Sequence, residues 1–164
     1  TGAAAAYSLR KLSSDYSGNA ITVTTDGVDS QDIGFSGNDL DTATLESFAG
    51  SGDAYVSTWF DQSGNSRNFT QSNFANMPKI VSSGSTITQN SKPIVEFDGT
   101  TRYMDLAAQQ TFTDEFFMTF AIRPTSNANA FGSLLNGEGT AQNRVLVYEN
   151  TTTSIMSIVM MLFQ

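Results

Sequence analysis

The sequence predicts an all-β domain, a two-sheet antiparallel sandwich carrying two short helices. Three observations lead there. Small polar residues dominate, with 20 Ser, 20 Thr and 12 Asn beside 13 Gly and only 3 Pro, and these side chains suit turns and sheet surfaces better than helix interiors because they compete for backbone hydrogen bonds. Short alternating or β-branched runs recur along the chain, each closed by a cluster of turn residues. No long helical pattern alternates with the strands, which argues against a parallel α/β arrangement. A chain of 164 residues with 39% hydrophobic and 11% aromatic content can close one core. The expectation is therefore a single unit over residues 1–164. Because the chain opens on Thr1 and stops at Gln164 within an apolar stretch, it is expected to belong to a longer product.

The elements follow in order. Ala3 to Leu12 holds good helix formers with Arg10 and Lys11 near its end, and predicts a first short helix. Ile21 and Val23 alternate with Thr22 and Thr24 before the Asp26-Gly27 turn, and Gln31 to Phe35 reads as the next strand. Over Asp39 to Phe48, Asp41 or Thr42 can cap a second helix, Leu40, Leu45 and Phe48 share one side, and Gly50 ends it. Ala54 to Phe60 is β-branched and aromatic and stops abruptly at Asp61-Gln62-Ser63-Gly64-Asn65. Shorter strands are expected at Asn68 to Gln71, Lys79 to Val81, Thr86 to Thr88, Ile94 to Phe97 and Arg102 to Leu106. Phe116 to Arg123 reads as the strongest strand, followed by Phe131 to Leu135, Arg144 to Tyr148 and Ile155 to Phe163. Val56, Trp59, Phe60, Val95, Phe97, Phe117 and Phe120 are the expected core contributors. The run Ile155 to Phe163 has almost no polar alternation, so either both its faces are buried or something else covers it.

Composition also removes whole classes of function. Eight Lys+Arg against sixteen Asp+Glu give a net charge of −8, which repels a phosphate backbone, so neither nucleic acid nor an anionic membrane is an expected partner. The longest apolar run is far short of a membrane-spanning helix. With no Cys and no His, the chain cannot form a disulfide, a thiolate nucleophile, a Cys/His zinc site or a triad with His as base.

Several phrases read together carry a resemblance. Ala6-Tyr7-Ser8-Leu9-Arg10-Lys11-Leu12, Gln31-Asp32-Ile33-Gly34-Phe35, Trp59-Phe60-Asp61-Gln62-Ser63-Gly64-Asn65, Pro78-Lys79-Ile80-Val81 and Glu96-Phe97-Asp98-Gly99 stand in the order of a concanavalin A-like, laminin-G-like jelly-roll family. That family resembles the catalytic domain of B-type α-L-arabinofuranosidases, and its relatives occur as modules in bacterial surface proteins and marine phage virions. The Trp-Phe-Asp-Gln-Ser-Gly-Asn phrase is the most specific piece. The resemblance implies a jelly-roll sandwich and does not by itself imply an enzyme.

A glycosidase needs two carboxylates across a cleft. The five Glu residues, Glu46, Glu96, Glu115, Glu138 and Glu149, are not marked by their neighbours as such a pair, so no catalytic residue is assigned. Asp61, Gln62 and Asn65 converge on one loop, where carboxylate and amide oxygens suit sugar hydroxyls or Ca²⁺, and Tyr103 is the best exposed aromatic for stacking on a sugar ring. The competing reading makes the same loop a structural turn and Trp59 a core residue. The loop lacks the alternating Asp/Asn ladder of a helix-loop-helix calcium site, and no metal ligand or cofactor is assigned. The expected function is a non-catalytic, surface-displayed module that binds cell-surface or extracellular glycans or neighbouring subunits. The virion surface, as a capsid decoration, head fibre or tail fibre, is the expected location, with a secreted or cell-surface protein as the alternative location. The alternative function is a fragment of an arabinofuranosidase-like glycoside hydrolase.

Overall fold

The computed structural model describes residues 2–106 and 119–123, together with three further backbone strands between residues 132 and 161. The chain divides into two compact units, Thr1–Thr111 and Phe112–Gln164. Among the described residues all strand pairings are antiparallel.

In the first unit the strands are β1 (Ile21–Thr24), β2 (Ser30–Ile33), β3 (Phe35–Ser36), β4 (Asp39–Leu40), β5 (Ala54–Trp59), β6 (Phe69–Thr70), β7 (Lys79–Ser82), β8 (Ser85–Thr86), β9 (Thr88–Gln89), β10 (Lys92–Pro93) and β11 (Asp105–Leu106). Its main sheet runs β11-β6-β5-β1-β2, and β7 and β8 branch from β5. The branch arises because the start of β5 pairs with β7, Ala54 opposite Val81, while its end pairs with β6, Trp59 opposite Phe69. Strand β5 is thereby the hub that brings β1, β6 and β7 together, and it leads directly into the Asp61 loop. The pairs β3-β4 and β9-β10 form separate two-stranded ribbons. The second ribbon turns through Asn90 and Ser91, both with positive φ, as a two-residue hairpin requires.

The expected alternation is present at Ile21 and Val23 in β1 and at Ala54 and Val56 in β5, whereas in β7 the adjacent Ile80 and Val81 are both buried. Ile21, Val23, Ile33, Val56, Ile80 and Val81 are fully buried, and so is Leu45 of α1 (Thr42–Ala49), the single α-helix among the described residues. Asp41 caps that helix by accepting from the Thr44 backbone N–H at 3.1 Å, and Gly50 ends it with φ 59°. Both were readable as capping signals.

Several expectations need correction. Residues 3–12 form no helix; they run as a strap bent at Ala4, Leu9 and Leu12, whose backbone groups are claimed by distant side chains. A ten-residue helix is marginal without packing, and its small propensity advantage loses to those hydrogen bonds. Thr86 to Thr88 is broken at Ile87, whose N–H bonds to Ile80 and whose carbonyl accepts from Ile94. Ile94 to Phe97 keeps only a single bridge, Glu96 to Lys79. Strict alternation therefore does not govern it: Val95 packs partly against the core while Phe97 is 44% exposed. Phe60 and Phe120 are half-buried, and Phe117 lies outside the described residues. Of the stretch Phe116 to Arg123, residues 119–123 belong to no strand, and the rest lies outside the described residues.

The second unit contains an antiparallel meander, β12 (Gly132–Asn136), β13 (Arg144–Asn150) and β14 (Ile155–Met161), in that spatial order. β13 and β14 pair without interruption from Arg144 opposite Met161 to Asn150 opposite Ile155. The strands expected at Phe131 to Leu135, Arg144 to Tyr148 and Ile155 to Phe163 fall on these three.

Candidate functional site

The loop after β5 is the most densely bonded part of the first unit. Strand β5 delivers Asp61 and Gln62 to the underside of the strap, where they are only 5% and 6% exposed. Asp61 Oδ1 accepts from the Ala6 N–H and the Ser63 N–H, each at 2.8 Å, and its Oδ2 accepts from the Ser63 hydroxyl at 2.8 Å and the Arg67 N–H at 3.1 Å. The Asp61 N–H itself donates to Asn68 Oδ1.

Gln62 uses both ends of its amide. Its Oε1 accepts from the Leu12 N–H at 2.9 Å, while its Nε2 donates to the Ser8 carbonyl at 2.8 Å and the Arg10 carbonyl at 3.0 Å. The Gln62 backbone N–H donates to the Ala6 carbonyl at 2.7 Å. Asn65 Nδ2 reaches the Ala3 and Ala4 carbonyls, and Arg67 Nη1 the Ala4 carbonyl at 3.0 Å. The loop therefore clasps the strap through main-chain atoms of Ala3, Ala4, Ala6, Ser8, Arg10 and Leu12.

Two apolar anchors complete the clasp. Leu9 is buried in the core cluster. The Tyr7 ring lies 4.5 Å from that of Phe69 and edge-on to Trp59 at 6.5 Å, with its hydroxyl donating to the Arg67 carbonyl. Trp59 packs partly against the core, as expected, and its buried Nε1 has no hydrogen-bond partner among the described residues.

Electrostatics follow from this packing. Burial raises the Asp61 carboxyl's pKa, but the Ser63 and Ala6 N–H groups, the Ser63 hydroxyl and the Arg67 N–H outweigh it and hold the group below the ordinary aspartate value. Burial, reinforced by the Asp61 charge and opposed by Arg67, pushes the Tyr7 phenol up to about 12. Burial and Asp61 also raise Tyr16.

Of the four predicted site residues, the structure brings Asp61, Gln62 and Asn65 together in the clasp. Their polar atoms face the strap. A cation at Asp61 would have to displace four N–H or O–H donors, and among the described residues no three carboxylates converge on one point. Tyr103 has a different setting. It is 48% exposed, its N–H donates to the Asn76 carbonyl at 3.1 Å, and its carbonyl accepts from Gln71 Nε2 at 3.1 Å. Just before it, Asp98 organises a turn: the Thr101 hydroxyl and the N–H groups of Arg102, Thr100 and Thr101 donate to its carboxylate and hold it well below the usual range.

Sequence reasoning missed Tyr7, Arg67 and Asn68 as parts of the clasp. Arg67 and Asn68 directly follow the Trp-Phe-Asp-Gln-Ser-Gly-Asn phrase, so their position carried a usable signal. Tyr7 was hidden by the helical reading of its segment. Comparison of the chain with protein-family models, with curated proteins and with solved structures finds no match to any of them.

Proposed function

We propose that the chain is a non-catalytic module of jelly-roll organisation, displayed on the surface of an assembly such as a phage virion, where it contacts glycans or neighbouring subunits. The observation that carries the non-catalytic part is the clasp: the loop richest in reactive-looking side chains directs them into the chain's own backbone. Five carboxylates outside the clasp add support: among the described residues Asp26, Asp41, Glu46, Asp53 and Asp98, like Asp61, sit below their ordinary pKa. A glycosidase acid needs the opposite shift. Glycan contact rests on Tyr103, which offers an aromatic ring to solvent beside the Asp98 turn.

Two measurements test this reading. The chain is expected to release nothing from an aryl arabinofuranoside. Turnover that disappears in Glu46→Gln or Glu96→Gln, with the fold intact, would establish the hydrolase alternative instead. On a glycan array, binding by the native chain should weaken in Tyr103→Ala. Binding that is unaffected by this change removes Tyr103 from the contact, and no binding at all leaves subunit contact as the module's role.

A further inference from the structure

We propose that the Arg102 guanidinium, mounted on the Tyr55 ring and next in the chain to Tyr103, binds the carboxylate of an acidic sugar. The inference rests on the glycan reading above and gives that glycan a chemical class. Two cations share the Tyr55 ring: Lys79 Nζ lies 5.6 Å from its centroid and Arg102 Cζ 5.3 Å. They differ in what they hold. Lys79 donates to Asp53 Oδ2 at 2.6 Å, which matches its charge. Arg102 has a long ion pair, Nε to Asp98 Oδ2 at 3.9 Å, beyond hydrogen-bond length.

Asp98 is already committed to its own turn. Its Oδ1 accepts from the N–H groups of Thr100, Thr101 and Arg102, and its Oδ2 from the Thr101 hydroxyl. The guanidinium carries five N–H donors, and among the described residues none of them has an acceptor at hydrogen-bond distance. The Arg102 side chain is nevertheless only 20% exposed. A largely buried cation with open donors calls for an acceptor, and its planar fork selects one with two oxygens in a plane, which is a carboxylate.

The mount is rigid. Tyr55 stands in β5 opposite Lys79 of β7, its hydroxyl donates to Asp53 Oδ2 at 3.3 Å, and the Phe74 ring meets it edge-on at 5.0 Å. Asp98 fixes the Arg102 backbone, and Asn76 and Gln71 fix that of Tyr103. A sugar can give its carboxylate to Arg102 and an apolar C–H face to the exposed Tyr103 ring, a combination that an acidic peptide does not match. The net charge of −8 repels dense polyanions at long range, so isolated carboxylates on a glycan fit better than heavy sulfation.

The test titrates the full chain with oligosaccharides carrying glucuronate, galacturonate or sialate, each beside its carboxyl-reduced form. The native chain should bind at least one acid form about tenfold tighter than the reduced form. Arg102→Lys keeps a cation over Tyr55 but lacks the fork, so it should lose about tenfold in affinity for that acid form while binding of the reduced form and the melting temperature stay near native. Arg102→Gln should abolish the preference. The inference is overturned if acid and reduced forms bind alike, if folded Arg102→Lys binds the acid form as the native chain does, or if no acid form binds. A Glu-rich peptide held through Arg102, with every oligosaccharide ignored, would overturn the sugar assignment in favour of a protein partner. Neutral glycans bound through Tyr103 without acid preference overturn this inference and leave the glycan reading standing, whereas a wholly blank glycan array removes both.

Discussion

Asp61 and Asp98 head two loops that look alike in sequence, Asp-Gln-Ser-Gly and Asp-Gly-Thr-Thr, yet they perform different work. Each carboxylate collects four hydrogen bonds. Asp98 takes all of its bonds from the next four residues, on an exposed turn. Asp61 also folds its own turn, but one of its bonds reaches back 55 residues to Ala6, and its neighbour Gln62 reaches Ser8, Arg10 and Leu12. The comparison separates local from long-range use of one side-chain type. A local turn re-forms its bonds with water when its Asp is removed, whereas a buried clasp leaves donors and acceptors with no partner.

The largest expected effect is therefore at the clasp. Asp61→Ala strands the N–H groups of Ala6, Ser63 and Arg67, and at about 1–3 kcal/mol for each buried unsatisfied group the loss should reach about 4 kcal/mol in urea unfolding. Trp59→Ala comes next. The ring is only partly buried, so its loss should fall near the lower end of the range for large aromatic deletions, about 3 kcal/mol, and a loss under about 1 kcal/mol would mean that the ring is not a packing element. Gln62→Glu should cost about 2 kcal/mol, because a carboxylate cannot donate to the Ser8 and Arg10 carbonyls that the amide now serves. Asp98→Ala should shift the melting temperature least. Equal shifts for Asp61→Ala and Asp98→Ala would abolish the distinction between the two loops.

Titration sharpens the same contrast. Both carboxyls are depressed in the folded chain, so the stability they confer is present above the ordinary aspartate pKa and is lost as the pH falls through the folded value. Melting temperatures from roughly pH 5 to pH 2 should fall less steeply in Asp61→Asn and in Asp98→Asn than in the native chain. Tyr7 has the opposite sign. Its phenol is raised from 10.0 to about 12, so its contribution is complete below pH 10 and is lost as the pH rises toward 12 and beyond. In Tyr7→Phe that alkaline loss should shrink.

The parts of the fold set by neighbours in the chain were readable from the sequence. Alternation at Ile21–Thr24, the Asp41 cap and Gly50 stop of the helix, and the β-branched run into the Asp61 turn are local signals, and each falls where it was expected. The sequence also marked Asp61, Gln62 and Asn65 as a cluster. What the cluster binds was not readable. Its partners in the strap lie 50 or more residues away, and residues 3–12 carry enough helix formers to read as a helix on their own. Only the tertiary structure, by bringing the end of β5 against that segment, decides that backbone hydrogen bonds to Asp61 and Gln62 outcompete a short, weakly nucleated helix.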